Sequence, residues 1–304
     1  IMYGPRQVGK TTLLNHYLKD KEDYFFVDGE DIEVQHQLSS QSIEKLKSFV
    51  GNKRLLVIDE AQKIPNIGVN LKLLIDHCKP LTIIATGSSS FSLAEQVGEP
   101  LVGRSLIFHL YPLSQIELNN IENRAQTKAK LEERLIYGAY PEVILKNSLD
   151  EKKRYLQELV SSYLYRDILE LDQVKKSQKI LKLLQLIAFQ VGNDVSLAEL
   201  GQQLGLDQKT VERYLDLLEK SFVLISVSGF SNNPRKEISK RSRYYFYDMG
   251  VRNALIRNFN AFPFRNDQGA LWENYLVIER VKKQAYFSIF SNHYFYHSFS
   301  FKPP

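Results

Sequence analysis

A single cysteine, Cys78, in 304 residues excludes an internal disulfide framework and any zinc site built on cysteine pairs. No apolar run approaches the ~20 residues that cross a bilayer, so no membrane partner is expected. No charged N-terminal region leads into an apolar run and a small-residue cleavage site, so no secretory signal is read. The histidines His16, His36, His77, His109, His293 and His297 lie in separate segments without paired metal spacing, and each reads as a surface or core residue. No Ser-His-Asp arrangement has usable context, so the serines at 88–90 are not read as nucleophiles. No Asn-Lys-x-Asp signature specifies guanine. What remains is ordinary: 43% apolar and 25% charged residues, the composition of a soluble globular chain in a reducing, cytoplasmic setting. The net charge of +5 is a mild excess, concentrated where Arg235, Lys236, Lys240, Arg241 and Arg243 face only Glu237. That run is either a solvated loop or a polyanion contact.

Residues 1–110 alternate apolar runs with helical patterns. Tyr24–Asp28, Arg54–Asp59, Leu81–Thr86 and Leu106–Leu110 read as strands, and Leu13–Leu18, Ser42–Val50 and Gly68–Cys78 as helices. Short apolar runs separated by helices predict an α/β fold, a parallel sheet with helices on both faces. From about Lys128 to Val191 the period is helical, with apolar positions at three and four such as Leu156, Leu159, Val160, Tyr163, Leu164 and Ile168, interrupted at Pro141. Two short helices joined at Gly205 follow, then strands at Val223–Val227 and Arg243–Tyr247 and a helix at Trp272–Lys282.

Gly4-Pro5-Arg6-Gln7-Val8-Gly9-Lys10-Thr11 fits G-x-x-x-x-G-K-[ST] without a gap, and Thr12 follows at the helix start. The spacing has a physical cause. Glycines let the backbone curl so that successive N–H groups point at one set of phosphate oxygens, Lys10 reaches the β- and γ-phosphates, and the Thr11 hydroxyl is a magnesium ligand. The helix that follows adds its positive N-terminal end. The alternative is a glycine-rich turn of no function.

Leu55-Leu56-Val57-Ile58-Asp59-Glu60 is an apolar strand ending in two acids, the Walker B form. Asp59 is expected to hold magnesium with Thr11, and Glu60 to orient and polarise the attacking water. The strand ending at Thr86 runs into a serine-rich turn, where a polar side chain would sense the γ-phosphate. Ser88 is the first candidate, with Thr86 and Ser89 as alternatives. Arg104 is a candidate for stabilising transition-state charge, in cis or from a neighbouring copy, against a structural role at the surface.

These residues, with Asp59-Glu60-Ala61-Gln62, the Thr86–Ser90 turn, Gly103-Arg104 and Tyr111-Pro112-Leu113-Ser114, resemble the prokaryotic AAA-type P-loop ATPases that carry a C-terminal domain of unknown function. Gly138-Ala139-Tyr140-Pro141-Glu142, the stretch from Tyr245 to Ala254, and Gly269-Ala270-Leu271-Trp272-Glu273-Asn274 extend the resemblance over nearly the whole chain. It implies a P-loop ATPase core at 1–127, a helical lid or linker at 128–191, a winged helix at 192–250 and a truncated α+β, restriction-endonuclease-like part at 251–304. Acidic motifs expected near the end of such proteins are not found after Phe295, which predicts no nuclease activity. The three residues before Gly4 and the irregular last residues read as the ends of a fragment or of a frameshifted reading frame.

In the helix pair, Leu197, Leu200 and Leu204 form one apolar face and Val211, Tyr214, Leu215 and Leu218 another. Asp207 is a plausible N-cap. Gln208, Lys209, Glu212 and Arg213 would then face outward, as a recognition helix presents side chains to a major groove. The same shape serves protein docking, and Glu199, Glu212, Asp216 and Glu219 would repel phosphates. Trp272 reads as core with Leu271 and Tyr275. Two functions are therefore expected: an ATPase that uses magnesium, or a nucleotide-gated module that binds DNA or a protein with little hydrolysis. A helicase is disfavoured because the chain lacks room for a second motor domain.

Overall fold

The computed structural model describes residues 1–78, 80–88, 101–164, 177–230 and 242–295, and these fall into two compact units, Ile1–Tyr111 and Pro112–Pro304. The first unit is a five-stranded parallel sheet flanked by helices, in the order β2-β3-β4-β1-β5: β1 (Met2–Tyr3), β2 (Tyr24–Asp28), β3 (Leu55–Asp59), β4 (Thr82–Gly87) and β5 (Phe108–His109). The helices are α1 (Lys10–Leu18), α2 (Ile32–Leu38), α3 (Ile43–Val50) and α4 (Ile67–His77).

Every residue of β3 is buried, as its unbroken apolar run requires of a strand covered on both faces. Leu14 and Leu18 of α1 pack with Met2, Leu55 and Val57, and Tyr24, Phe26, Ile84 and Leu110 close the cluster. The strand expected at Leu106–Leu110 is paired only at Phe108–His109, because β1 offers only Met2 and Tyr3 as partners. Helix α2 lacks an apolar stripe long enough to be read: it buries only Leu38, and its start is set by Asp31, whose side chain accepts from the Glu33 N–H.

In the second unit the helical run expected from 128 begins at Arg124, where Asn123 and Gln126 form a capping box. Its helices are α5 (Gln115–Leu118), α6 (Arg124–Tyr137), α7 (Pro141–Leu145), α8 (Leu149–Glu158), followed by a π-helical turn at Leu159–Leu164, then α9 (Ser177–Phe189), α10 (Leu197–Leu204), α11 (Gln208–Lys220), α12 (Met249–Leu255) and α13 (Gln268–Tyr286). Strands β6 (Leu224–Gly229) and β7 (Ser242–Phe246) pair antiparallel, and β8 (Tyr294–Phe295) joins β6 in parallel.

Helix α12 is buried along all seven residues. The motifs shared with the resembled group meet on it. Asp248 accepts from the Ala139 N–H at 2.7 Å and the Val251 N–H at 3.1 Å. Asn253 donates to the carbonyls of Leu135 and Ile136. Asn274 brackets Phe246, accepting from its N–H at 2.7 Å and donating to its carbonyl at 2.8 Å. Buried backbone must be satisfied, and these side chains do it where no ladder or helix can. Burial raises the Asp248 carboxyl above the usual range, against the pull of the Ala139 N–H and Lys282. Trp272 and Tyr275 pack against Leu135, Met249 and Leu271, so this tryptophan is core.

Candidate functional site

The parallel sheet places the ends of β1, β3 and β4 along one edge, and the loops that leave those ends carry the candidate residues. The loop after β1 turns into α1 at Gly9, which is left-handed at φ 98°, a conformation open to glycine at little cost. Gly4 has a different reason to be glycine. A Cβ there would stand 2.2 Å from the Leu110 carbonyl oxygen, so the loop runs against the chain leaving β5. Pro5 and Val8 are buried and hold the loop to the sheet, Arg6 and Gly9 are half-buried, and Gln7, Thr11 and Thr12 are exposed at the mouth. Gln7 is itself left-handed at φ 60°, which bends the loop tip. Lys10 is buried, its ammonium donating to the carbonyls of Gly4 at 2.8 Å and Pro5 at 3.0 Å. The loop thus holds its own cation in place beside its N–H groups.

Asp59 ends β3 beside this loop. The Thr11 hydroxyl donates to Asp59 Oδ2 at 2.7 Å, joining residues 48 apart in sequence. Thr86 Oγ1 donates to Asp59 Oδ1 and accepts from the Glu60 N–H at 3.2 Å. Thr86 is fully buried. Of the two γ-phosphate candidates within the described residues, Thr86 is therefore engaged with the Walker B acid, while Ser88, also buried, lies one step beyond the end of β4. Ser89 lies outside the described residues.

Glu60 is left-handed at φ 48° and ψ 41°, strained for a residue with a Cβ. The strain turns the chain at once into a 3-10 turn, Ala61–Lys63, which brings Gln62 back over the site. Gln62 Nε2 donates to Glu60 Oε2 and, at 3.1 Å, to Ser88 Oγ. Gly29, after β2, donates its N–H to the Asp59 carbonyl at 2.8 Å. A Cβ on Gly29 would come within 2.5 Å of the Glu60 carbonyl oxygen. Neither Gln62 nor Gly29 was identified as a site residue by spacing; Gln62 stood in the Asp59–Gln62 motif, whereas an Asp28-Gly29 pair reads only as a turn.

Lys10, Thr11, Asp59, Glu60 and Ser88 are thus linked along one edge. Arg104 is not among them. It precedes β5, whereas the site follows β1, β3 and β4, so in a parallel sheet it belongs to the opposite edge. There its Nε sits 3.2 Å from Asp76, at the end of α4, in an exposed pair.

Elsewhere, His109 lies on the exposed strand β5, where it packs edge-on against Tyr3 and meets the Tyr111 hydroxyl, and the desolvation these neighbours bring lowers its ring below the usual range. Burial pushes the Tyr3 and Tyr111 phenols up to about 12. No group of three His, Cys, Asp or Glu forms a metal cage among the described residues, and among them no helix is long and apolar enough to cross a membrane. The basic run is described only at Arg243, which pairs with Asp194 at 2.9 Å and stacks over Phe295, so this arginine is committed within the fold. Residues 235–241 and His297 lie outside the described residues.

Helices α10 and α11 meet at Gly205, left-handed at φ 59°. Asp207 caps α11, accepting from the Thr210 N–H at 2.8 Å. Val211, Tyr214, Leu215 and Leu218 are buried, and Gln208, Lys209, Glu212 and Arg213 are exposed, as their period requires.

A family model described as AAA domain matches residues 1–119, and one described as Domain of unknown function (DUF8612) matches residues 128–261. The chain is similar to an uncharacterized protein of Methanocaldococcus jannaschii, MJ1544, at 25% identity over 301 residues, covering 92% of this chain and 65% of the relative. It is similar to the uncharacterized Rv2008c of Mycobacterium tuberculosis at 26% over 280 residues, covering 91% and 60%. An uncharacterized protein of Haemophilus influenzae is 25% identical over 285 residues, covering 84% and 68%. The chain spans 65% and 60% of the first two relatives' lengths. The AAA match, on a five-stranded parallel sheet with a phosphate loop after β1, supports an AAA-type P-loop domain with a nucleotide-binding function in the first unit.

Proposed function

We propose that this chain binds ATP with magnesium in the Gly4–Thr12 loop and hydrolyses it to ADP and phosphate. The observation that carries the reading is the hydrogen bond from Thr11 to Asp59, which brings the loop and the acid-ended strand into one oxygen-lined site with Glu60 adjacent. The donor set fits the metal. Magnesium is ordinarily held by one or two protein oxygens, with phosphates and waters completing its shell, and a threonine hydroxyl beside a carboxylate is such a pair. Bound magnesium would neutralise charge on the phosphate oxygens.

The chain's own groups would do the rest. Backbone N–H groups of residues 6–11 and the start of α1 would face a polyphosphate. Lys10 exchanges the Gly4 and Pro5 carbonyls for phosphate oxygens. Glu60 orients a water and accepts its proton as the water oxygen bonds to the γ-phosphorus and the β–γ bridging P–O bond breaks. Ser88 donates to a γ-phosphate oxygen. Arg104 enters only from a second copy of the chain.

Lys10→Ala is expected to abolish nucleotide binding. Glu60→Gln is expected to keep binding and reduce phosphate release by ~100-fold or more, the range of a lost general base. Calorimetric ATP affinity and steady-state phosphate release check both, and normal turnover by Glu60→Gln removes Glu60 from the role of base.

A second reading is a nucleotide-gated module in which α10, α11 and the ribbon β6–β7 form a winged helix that engages DNA. It is favoured by the exposed row Gln208, Lys209 and Arg213 on α11. The acidic Glu212 and Asp216 share that exposed surface, which weakens attraction to phosphate. Anisotropy of a labelled duplex at two salt concentrations tests it: DNA binding that shows no salt dependence rejects the reading.

A further inference from the structure

Gln62 has no role in the account above, yet its amide stands between the two groups that account needs most. It is half-buried, two residues after Glu60, inside the Ala61–Lys63 turn. Its nitrogen has two hydrogens, and two acceptors lie within reach: Glu60 Oε2 and Ser88 Oγ at 3.1 Å. The orientation of the amide follows from charge, because turning its oxygen toward the Glu60 carboxylate would set two acceptors against each other. Ser88, by accepting here, keeps its own hydrogen to donate elsewhere. Gln62 Oε1 is buried and has no hydrogen-bond partner among the described residues, so among them the amide is held through its nitrogen alone. A group fixed only through its nitrogen moves with the two side chains it links.

We propose that Gln62 is a positioning residue that couples Ser88 to Glu60, so that the carboxylate is aligned for its work only when the Ser88 hydroxyl is donating to a γ-phosphate oxygen. The proposal rests on the hydrolysis reading above. Its physical basis is cooperativity: a hydroxyl that donates becomes a better acceptor, so phosphate contact at Ser88 tightens the Gln62 N–H bond on it and fixes the amide that holds Glu60. With ADP alone the hydroxyl has no γ-oxygen to meet, and the link is loose.

The test uses Gln62→Met, which keeps length and bulk but has no N–H, and Gln62→Glu, which sets a second carboxylate beside the first. In wild type and both variants, phosphate release and the affinities for ATP and ADP are measured. Gln62→Met is expected to lower kcat by about 10- to 100-fold, the range for losing a hydrogen bond to a charged group, with ATP affinity changed by less than about threefold, since the Gln62 hydrogen bonds go to Glu60 and Ser88 and not to the phosphate loop. In both variants turnover is expected to fall while ADP affinity stays within about threefold of wild type. A residue that merely packs would weaken nucleotide binding along with turnover. The double variant Gln62→Met/Ser88→Ala is expected to be no slower than the worse single variant, as for two parts of one device. Multiplicative effects, or a loss of ADP affinity as large as the loss of turnover, overturn the proposal.

If wild type releases no phosphate, the hydrolysis reading fails, and the coupling is then read from binding. ADP with magnesium and aluminium fluoride, which mimics the transferring phosphoryl group rather than ground-state ATP, is expected to bind wild type more tightly than ADP, and Gln62→Met to lose at least about tenfold of that tightening. Equal tightening in both proteins, or none in wild type, overturns the coupling.

Discussion

Thr86→Val removes one oxygen from a fully buried position and keeps the shape of the side chain. The hydroxyl donates to Asp59 Oδ1 and accepts from the Glu60 N–H at 3.2 Å. A hydrogen bond to a charged acceptor contributes roughly 1.5–3 kcal/mol, and a buried donor left unmade costs about 1–3 kcal/mol. The second cost is partly relieved, because the Glu60 N–H also meets Asp59 Oδ1 at 3.2 Å, and the valine methyl adds little apolar contact in a site this polar. The net loss should be about 2 kcal/mol of unfolding free energy. Urea unfolding followed by far-ultraviolet circular dichroism reads it, with the slope unchanged and the midpoint lowered. The effect on the site should be in the same direction: Asp59 keeps Thr11 but loses the Thr86 hydroxyl from its other oxygen, so magnesium-dependent tightening of nucleotide should weaken while metal-free nucleotide binding does not. A loss below about 0.5 kcal/mol, the scatter of neutral substitutions, would refute the claim that Thr86 secures the acid.

Three further outcomes are expected. Gly29→Ala drives a Cβ into the Glu60 carbonyl at 2.5 Å, so it should displace Glu60 and reduce phosphate release far more than ADP affinity, as steady-state kinetics and calorimetry would show. Asp248→Asn should alter the pH dependence of the second unit. Burial raises the Asp248 carboxyl, so its contribution to stability is fullest at low pH and is lost as pH rises through the raised value; in urea titrations at several pH values the asparagine variant should lack that loss, apart from a constant offset for the acceptor it gives up. Arg104→Ala breaks only an exposed pair with Asp76, so the unfolding free energy should change by less than ~1 kcal/mol and ADP affinity should stay as in wild type; a large loss of ADP affinity would place Arg104 in this chain's own site.

The division between what could be read from the chain and what required its fold follows the range of the interactions. The phosphate loop is a local object. Gly9 must be left-handed, and Lys10 and Thr11 must open the helix after it, so eight consecutive letters suffice to specify it. The same holds for β3, whose apolar run needs a covered sheet, and for the Asp207 cap and the Gly205 turn between α10 and α11. Helix α12 escaped because a helix buried on every side has no stripe to reveal it, and α2 because it buries almost nothing.

The sequence alone determined which residues had the chemistry: a cradle for phosphate, two acids at a strand end, a hydroxyl beyond the next strand. Only the tertiary structure decided how they are used. The strand order set β3 between β2 and β4 and so put Thr11, Thr86 and Asp59 within hydrogen-bond distance across 48 and 27 residues of chain. It carried Arg104 to the far edge of the sheet, and it folded Gln62 back onto Glu60 and Ser88. A hydrogen bond is decided within tenths of an ångström, and separations of that size between distant segments are properties of packing, not of spacing along the chain.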